Sequence, residues 1–352
     1  MEKLLVICPR DGASPRMDRA LQAAVQGVPF EMIVSAEALG DCRNRRILFA
    51  VSVWDAGVNL QYYAMLGKIR STRDCFDGAM GALLVDGSCE LYTKAIAREL
   101  AFAANRAGCA FLGKPLVEAT GSLQNFAVQA ALRGTDLEGA YHACARELAE
   151  RLLNFRLVRR TRPQLLVLHA SNRKTSNTLA LWEQLRPTLA GRMELQEIGL
   201  RNGTLADCNG CAYRTCLHFG EQGTCFYGGV IVEEVYPAIR AADGVLFLCP
   251  NYNDALAANL TACVNRLTAL FRAMPFFEKA LFGIVVSGYS GGDLVAEQLI
   301  SALCMNKAFS LPPRFCLLET ANDRGSAARL PGIQDRLAAF GEGILESLTA
   351  VP

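Results

Sequence analysis

The sequence lacks a long uncharged hydrophobic run, since none approaches the roughly 18 residues that a membrane span needs. The apolar stretch from Leu4 to Cys8 is too short for a signal-peptide core and is typical of a buried strand. Charge of one sign is not in excess either: 36 Lys and Arg against 34 Asp and Glu give a net charge of +2, which argues against a nucleic-acid-binding surface. We therefore expect a cytoplasmic protein that binds neither membranes nor nucleic acids.

Two nucleotide-binding fingerprints are also missing. Neither GxGxxG nor GxxxxGK[ST] occurs, which disfavours a dinucleotide-binding Rossmann site and a P-loop. The 14 cysteines are far too few for a disulfide scaffold, and we interpret the isolated ones as small buried hydrophobic residues. What remains is a globular composition, 51% hydrophobic and 20% charged, and the 352 residues suffice for about two domains.

The two halves of the chain resemble each other. Each begins with an apolar strand, Lys3–Pro9 or Gln164–Ala170, which is followed by a polar loop and an amphipathic helix. Three further matches keep an offset of about 160 to 166 residues. They pair Leu39–Cys42 with Leu205–Cys208, Gly81–Val85 with Gly244–Leu248, and Asn105-Arg106 with Asn265-Arg266. The matches predict a tandem duplication with domains at 1–155 and 163–352, and the basic segment 155–163 as a linker.

Short apolar strands alternate with helix-length amphipathic segments in the second half. The segment Ala255–Arg272 places five apolar side chains on one helical face: Leu256, Leu260, Val264, Leu267 and Phe271. The predicted strands are Leu165–His169, Met193–Ile198, Gly244–Cys249, Leu281–Ser287 and Arg314–Leu318. This pattern predicts an α/β fold of two tandem flavodoxin-like, doubly wound parallel-sheet domains. Such folds bind ligands at the carboxyl ends of their strands.

Three loops that follow predicted strands carry side chains suited to a ligand. His169–Thr178 offers hydroxyls, an amide and two cations at a helix N-terminus, which favours an anion such as a phosphate monoester, although a polar capped turn is the alternative. Cys249–Asp254 combines a stiff Pro250 with the flat Tyr252, and Ser287–Asp293 has glycines that permit close backbone approach. Each of the latter two alone is compatible with an ordinary turn, but together the three predict a binding site.

Together these loops resemble the NADPH-dependent FMN reductase and multimeric flavodoxin superfamily over about residues 163–320. The resemblance implies a flavin-dependent oxidoreductase that binds FMN. It assigns five residues to the FMN phosphate: Ser171, Arg173, Ser176, Asn177 and Thr178. It assigns Pro250, Asn251, Tyr252 and Asn253 to the ring and ribityl region, and Ser287, Gly288, Tyr289, Gly291 and Gly292 to the other edge of the ring. The sequence departs from the family at Ala170-Ser171-Asn172, where a Gly-Ser pair is frequent.

Four cysteines cluster within residues 208–225. Cys208, Cys211, Cys216 and Cys225 form a C-x2-C-x4-C-x8-C motif, in a loop that we expect at the same sheet edge as the phosphate loop. Four thiolates can hold structural zinc or a 4Fe–4S cluster, and the spacing does not choose between them. The motif is similar to that of the iron–sulfur flavoproteins, although theirs is tighter. That resemblance favours a 4Fe–4S cluster beside FMN, with zinc or free, redox-switching thiols as alternatives.

The first half lacks this chemistry. Its loop Pro9–Pro15 has no Ser-Asn-Thr triplet, and Cys42 has no cysteine partners at the matching positions. The segment Val53–Asn59 can hold a ligand in principle. We nevertheless expect residues 1–155 to form a degenerate flavodoxin-like domain without flavin.

The leading hypothesis is an FMN-dependent iron–sulfur flavoprotein. It would move electrons from NAD(P)H or a ferredoxin-like protein to an acceptor that the sequence does not identify. The alternatives are an NAD(P)H-dependent FMN or quinone reductase with zinc or free thiols in the cysteine loop, and a non-enzymatic flavodoxin-like electron shuttle. No catalytic acid, base or nucleophile is identifiable, so we expect catalysis to reside in the cofactors. We also expect a homo-oligomer.

Overall fold

The computed structural model describes residues 3–12, 14–172, 174–203 and 205–350. The chain separates into two compact units, Met1–Arg156 and Leu157–Pro352. Each unit has one five-stranded sheet in which all paired strands are parallel. Within the described ranges, no helix is both long enough and apolar enough to cross a membrane.

The first unit has the strand order β2-β1-β3-β4-β5. Its strands are β1 (Leu4–Ile7), β2 (Phe30–Ile33), β3 (Arg46–Val53), β4 (Met80–Gly87) and β5 (Ala110–Ala119). Its helices are α1 (Pro15–Ala24), α2 (Leu60–Ser71), α3 (Thr93–Arg106), α4 (Ala127–Arg133) and α5 (Leu137–Asn154). The central strands read as continuous apolar runs because helices cover both faces of the sheet. Side chains of α1 and α5, including Met17 and Leu148, share one core with Leu4 and Leu48 from the strands.

The second unit repeats this order as β7-β6-β8-β9-β10. Its strands are β6 (Gln164–His169), β7 (Glu194–Gly199), β8 (Gly244–Pro250), β9 (Ala280–Ser287) and β10 (Cys316–Thr320). Its helices are α6 (Asn177–Leu189), α7 (Tyr213–Glu221), α8 (Tyr236–Ala241), α9 (Ala258–Ala273), α10 (Gly292–Leu299) and α11 (Ile333–Leu348). A π-helical turn at Ile231–Val235 leads into α8, and another at Ile300–Met305 continues α10. Trp182 of α6 and Ile344 of α11 pack into the same core as Val167 and Ile284 from the sheet.

The fold predicted from the sequence is confirmed. Both sheets have the flavodoxin-like order 2-1-3-4-5, and each predicted strand of the second half overlaps an observed one. The helix predicted from Ala255 begins at Ala258 instead, because Tyr252 and Ala255 exchange backbone hydrogen bonds in a tight turn before it. Leu256 therefore lies outside the helix, and Phe271 is only half-buried.

The same strand order occurs in both units, but two of the four sequence matches pair elements that are not equivalent. Gly81–Val85 lies in the fourth strand of its unit, whereas Gly244–Leu248 lies in the third strand of the other. Asn105 and Asn265 likewise occupy helices that are not equivalent. The offset is not constant, because the connection between the second and third strands spans residues 34–45 in the first unit and residues 200–243 in the second. The longer connection contains the cysteine motif.

An ion pair occupies the carboxyl edge of the first unit's sheet. Arg16, at the start of α1, donates from Nε and Nη2 to the Asp86 carboxylate at 3.0 and 2.8 Å. The same guanidinium donates to the carbonyls of Gly87 and Gly121 at 2.7 and 3.1 Å. Asp86 is only 5% exposed. Burial lowers the pKa of Arg16, but the hydrogen bond to Asp86 and its negative charge outweigh that effect, so the pKa of Arg16 lies above its ordinary value. The pair thus connects the first helix to the end of β4 and to the loop after β5.

Replacing Asp86 by Asn is expected to destabilise the first unit by about 3 kcal/mol, because a partly buried guanidinium loses its counter-charge. The two tryptophans fall in different units, so Trp54 fluorescence in a Trp182→Phe background follows the first unit during urea unfolding. Glu147→Gln, which removes the exposed pair with Arg133, is the control and is expected to leave the midpoint nearly unchanged. Equal midpoints for the two variants would contradict the prediction.

Candidate functional site

Four of the loops that leave the carboxyl edge of the second unit's sheet, those after β6, β8, β9 and β10, form the candidate site. Parallel pairing brings these loops together, although they are far apart in sequence. Side-chain hydrogen bonds then connect them. The residues predicted for a flavin site occupy the first three loops, and the fourth was not predicted.

The loop after β6 gathers three hydroxyl groups. Ser176 caps α6, since its Oγ accepts from the Leu179 N–H at 3.2 Å. The Thr178 hydroxyl is buried and lies 2.8 Å from the Ser176 Oγ and 3.5 Å from the Ser171 Oγ. These oxygens lie beside the first N–H groups of the helix, which have no intrahelical acceptors. Arg173, also predicted here, lies outside the described residues.

A histidine at the end of β6 fixes the start of this loop. The Ser171 N–H donates to His169 Nδ1 at 3.3 Å, and His169 Nε2 lies 3.4 Å from Glu197 Oε1 on β7. The other oxygen of Glu197 accepts from the Trp182 indole N–H at 2.9 Å. Glu197 and Trp182 were not predicted as site residues. Their only signal was a histidine closing an otherwise apolar strand.

Asn177 holds a neighbouring loop with its side chain. The Nδ2 donates to the carbonyls of Ala321 and Asp323, at 3.2 and 2.9 Å, after β10. In the same loop, the Asn322 Nδ2 donates to the Tyr289 hydroxyl at 3.4 Å. Residues 321–323 therefore belong to the candidate site. Their signal in the sequence was the polar pair that directly follows the last strand.

Asn251 occupies the centre of the edge. Its Nδ2 donates to the Ser287 Oγ, the Ser290 carbonyl and Asp254 Oδ1 at 3.1, 3.0 and 3.2 Å. These three acceptors fix the orientation of the amide. The Asn251 Oδ1 is buried and has no hydrogen-bond partner among the described residues. A buried acceptor of this kind is costly to leave unpaired, so it favours a ligand with an N–H donor.

Two exposed tyrosines extend from the loop that contains Asn251 and from the loop after β9. Tyr252 is 60% exposed and Tyr289 is 82% exposed, unusual for aromatic side chains and suited to packing against a planar ligand. Pro250 ends β8, and Asn253 follows with a left-handed φ of 54°. The predicted residues after β8 and β9 thus lie at one edge.

The glycines of the loop after β9 permit its close packing. A Cβ atom on Gly291, whose φ is +80°, would overlap the Asp254 carboxylate. A Cβ on Gly288 would lie 3.1 Å from Asn322 Oδ1, and one on Gly292 would lie 3.2 Å from the Ser287 Oγ. A side chain at Gly291 would displace the Asp254 carboxylate, whereas one at Gly288 or Gly292 would require the contacted side chain to shift slightly.

The four clustered cysteines line one cavity of about 100 Å³ in the second unit. Cys208 is exposed, and Cys211, Cys216 and Cys225 are half-buried. The remaining wall combines aromatic and apolar residues with polar ones and is formed by Phe219, Phe226, Tyr227 and Ala269 together with Thr215, Thr224, Asn265, Arg266 and Thr268. Among the described residues, no group of three or more His, Cys, Asp or Glu side chains stands in an arrangement that holds a metal ion.

Helix α9 anchors the cysteine loop. Arg266 donates to the carbonyls of Ala206 at 3.2 Å and Gly228 at 2.6 Å, which flank the motif, and Asn265 Nδ2 donates to Asp207 Oδ1 at 3.1 Å. The loop starts at the sheet edge, where the Leu200 N–H donates to the His169 carbonyl at 2.7 Å. It then runs down α9, so that Arg266 lies about 12 Å along the helix from Ala258.

Replacing Gly291 by Ala is expected to destabilise the second unit by about 1–2 kcal/mol, because the left-handed backbone and the Asp254 carboxylate both oppose a Cβ atom. Gly343→Ala is the matched control. Gly343 lies inside α11 with open space around it, so alanine should stabilise the unit by up to about 1 kcal/mol. Urea unfolding gives the free energy of unfolding of the second unit in both variants, with Trp182 fluorescence as the signal in a Trp54→Phe background. The same direction of change for the two variants would contradict the prediction.

Residues 163–323 match the family model of NADPH-dependent FMN reductase. The match covers β6 to β10 and all the loops described above, and it supports a flavin-dependent oxidoreductase. No curated protein matches the chain.

Several solved structures are similar to about half of the chain. A putative quinone reductase from Klebsiella pneumoniae is 17% identical, with 54% of this chain and 87% of that chain covered and a TM-score of 0.37. NAD(P)H:quinone oxidoreductase from Methanothermobacter marburgensis is 14% identical, with coverages of 52% and 99% and a TM-score of 0.38. A flavodoxin, WrbA-like protein from Agrobacterium tumefaciens is 11% identical, with coverages of 53% and 99% and a TM-score of 0.33. The fold assignment itself rests on the strand order and the parallel pairing of this chain.

Proposed function

We propose that the second unit binds one FMN at the carboxyl edge of its sheet and that the protein is an FMN-dependent oxidoreductase. The observation that carries the proposal is the buried, unpartnered Asn251 Oδ1, at the point where the loops after β8 and β9 meet. The isoalloxazine ring offers an N–H donor for such an acceptor. The family match over residues 163–323 supports the same cofactor.

The other parts of FMN also fit the residues present. Its phosphate suits the hydroxyls of Ser171, Ser176 and Thr178 at the N-terminus of α6, where the helix dipole favours an anion. Its ring suits the exposed faces of Tyr252 and Tyr289. Asn177 contributes indirectly, because its amide holds the loop after β10.

We assign to the cysteine cavity a 4Fe–4S cluster held by Cys208, Cys211, Cys216 and Cys225. All four thiols line one cavity with room for several non-hydrogen atoms, and the wall of Phe219, Phe226 and Ala269 keeps it largely apolar. When bound, FMN would accept a hydride and the cluster would pass single electrons. The chain's own part is to orient the ring, fix the phosphate and hold the thiolates together.

The electron donor that the family match favours is a nicotinamide nucleotide, NADPH or NADH. Tyr252 and Tyr289 are exposed to solvent, so such a donor would reach the proposed ring site from the side of these tyrosines. A ferredoxin-like donor and a homo-oligomeric assembly remain predictions from the sequence. The acceptor is not identified by any side chain of the site.

We further propose that the first unit binds no flavin. The place that corresponds to the phosphate loop holds Pro9, Arg10 and Pro15 instead of a hydroxyl cluster. Arg16 is paired there with Asp86, and Arg10 is paired with Asp18, so both described arginines near that helix terminus already have a carboxylate partner.

A second candidate is an NAD(P)H-dependent FMN or quinone reductase with free thiols or zinc in the cysteine loop. One observation favours the free-thiol form of this candidate: the four cysteines share a cavity, yet no three side chains of the described residues are arranged to hold a metal. Iron, zinc and acid-labile sulfide analysis of anaerobically prepared protein separates the candidates.

Replacing Ser176 by Ala should weaken FMN binding about tenfold or more, because it removes a phosphate-facing hydroxyl and the cap of α6. Asp136→Ala is the matched control: it removes the cap of α5, where Asp136 accepts from the Gly139 N–H at 2.7 Å. Both changes should cost about 1 kcal/mol of stability, but only the first should change the Kd of FMN measured by fluorescence quenching. The wild-type protein should bind about one FMN per chain. A ratio near two, or FAD as the bound flavin, would refute the assignment.

Replacing Cys211 by Ser should abolish the broad cluster absorption while FMN stays bound, because the flavin contacts lie on other loops. The measurement is an anaerobic visible spectrum with iron and sulfide content. Cys263→Ser is the control, since Cys263 is fully buried in α9 and does not line the cavity. Wild-type protein with about one zinc and no iron per chain would overturn the cluster in favour of the second candidate.

A further inference from the structure

His169 is a buried polar side chain at the point where β6 ends and the loop after it begins. The residue is 5% exposed and is paired with Gly199 of β7 and Leu248 of β8. A Cβ atom on Gly199 would lie 3.1 Å from the imidazole Cε1, so the ring packs against this glycine. Burying a polar ring is costly unless its nitrogens have hydrogen-bond partners. These partners decide what the ring can do.

The two ring nitrogens meet groups of opposite kinds. Nδ1 accepts from the Ser171 N–H at 3.3 Å, so this nitrogen carries no proton. Nε2 lies 3.4 Å from Glu197 Oε1 on β7, and an ionised carboxylate only accepts. A neutral imidazole has one donor and one acceptor nitrogen. The contacts therefore select the neutral tautomer with its proton on Nε2.

Glu197 is itself held in place from α6. The Trp182 indole N–H donates to Glu197 Oε2 at 2.9 Å, and Trp182 is 1% exposed in the core of the unit. The carboxylate thus presents one oxygen to the indole and the other to the imidazole. The partner of one histidine nitrogen decides the state of the other, so Glu197 prepares Nδ1 as an acceptor.

The imidazole in turn holds the backbone of Ser171. The Ser171 N–H is bound to Nδ1, and the Oγ of the same residue lies 3.5 Å from the Thr178 Oγ1. Thr178 is fully buried, and its hydroxyl lies 2.8 Å from the Ser176 Oγ. The hydroxyls assigned above to the FMN phosphate are therefore placed by a chain of contacts that begins in the core, at Trp182.

We propose that His169, as the tautomer protonated on Nε2, is a positioning residue for the FMN phosphate and acts through the backbone of Ser171. The Ser171 N–H is already bound to Nδ1, so the hydroxyls of the loop are the groups of Ser171, Ser176 and Thr178 that remain for the phosphate. This inference rests on the proposed FMN site and adds to it the residue that sets its geometry.

The first test is the Kd of FMN for the full-length protein, measured by fluorescence quenching. His169→Leu fills part of the same space but removes the acceptor of the Ser171 N–H, so the Kd should rise about tenfold. His169→Asn places an amide oxygen near the position of Nδ1 and should keep the Kd within about threefold of the wild-type value. Equal losses of affinity in the two variants, or an unchanged Kd in His169→Leu, would contradict the positioning role.

Ser310→Ala is the matched control for a purely structural effect. Ser310 is 3% exposed, and its Oγ donates to the Lys279 carbonyl at 3.1 Å. The residue bridges to Ala280, the first residue of β9, and so lies at the opposite edge of the same sheet. This variant also loses one buried hydrogen bond, yet it should bind FMN like the wild type. A rise in Kd as large as that of His169→Leu would show that the effect is structural.

The second test observes the ring directly and needs no FMN. The chain has three histidines, so nuclear magnetic resonance of protein with isotope-labelled histidine gives few ring-nitrogen signals, and His169→Asn identifies those of His169. At neutral pH the FMN-free protein should show an unprotonated Nδ1 and a protonated Nε2. A doubly protonated ring, or a single proton on Nδ1, would refute the proposed tautomer and the positioning role with it.

The wild-type protein separates this inference from the proposal beneath it. If the wild type binds no FMN, the proposed function fails, and the role of His169 fails with it. If the wild type binds FMN and His169→Leu binds it equally well, the role of His169 alone is refuted.

Discussion

Parallel pairing of the strands is the constraint on which the candidate site depends. A parallel sheet directs the carboxyl ends of all its strands to one edge, so loops that are more than 140 residues apart become neighbours. Backbone pairing supplies the proximity but not the spacing between loops. Asparagine side chains set that spacing, since the amides of Asn177 and Asn251 each donate from one loop to another. In this arrangement the Asn251 Oδ1 has no hydrogen-bond partner among the described residues.

Much of the fold was predictable because its signals are local. An apolar run such as Leu165–Leu168 predicts a buried strand from its own residues, and the alternation of strands and helices then restricts the sheet to a doubly wound form. The loops that follow such strands were predictable for the same reason. Two of the sequence matches paired elements that are not equivalent, because they assumed a nearly constant offset between the two halves. The connection at residues 200–243 is much longer than its counterpart at residues 34–45.

The non-local parts of the site gave no such signal. Asn177 matched a phosphate-binding pattern, yet its amide donates to Ala321 and Asp323, about 145 positions away. Nothing periodic in the sequence marks that contact. Arg266 was similarly hidden, since an arginine on an amphipathic helix normally faces water. Its burial follows from the cysteine loop lying across α9, which only the fold reveals.

The two units show how one fold either satisfies its charges internally or leaves them for a ligand. In the first unit, Arg16 at the helix N-terminus finds Asp86 at a strand end, so the carboxyl edge is neutralised by the protein itself. In the second unit, the equivalent edge presents hydroxyls and an unpaired amide oxygen, and Arg266 of α9 donates to backbone carbonyls of the long connection instead of to a carboxylate. Unmet polar groups of this kind cost stability in the absence of a ligand, and bound cofactors that meet them return that free energy as affinity. Under the proposal that the second unit binds FMN, the cofactor meets polar groups that the described chain leaves unpaired there, whereas the Arg16–Asp86 pair occupies the corresponding edge of the first unit.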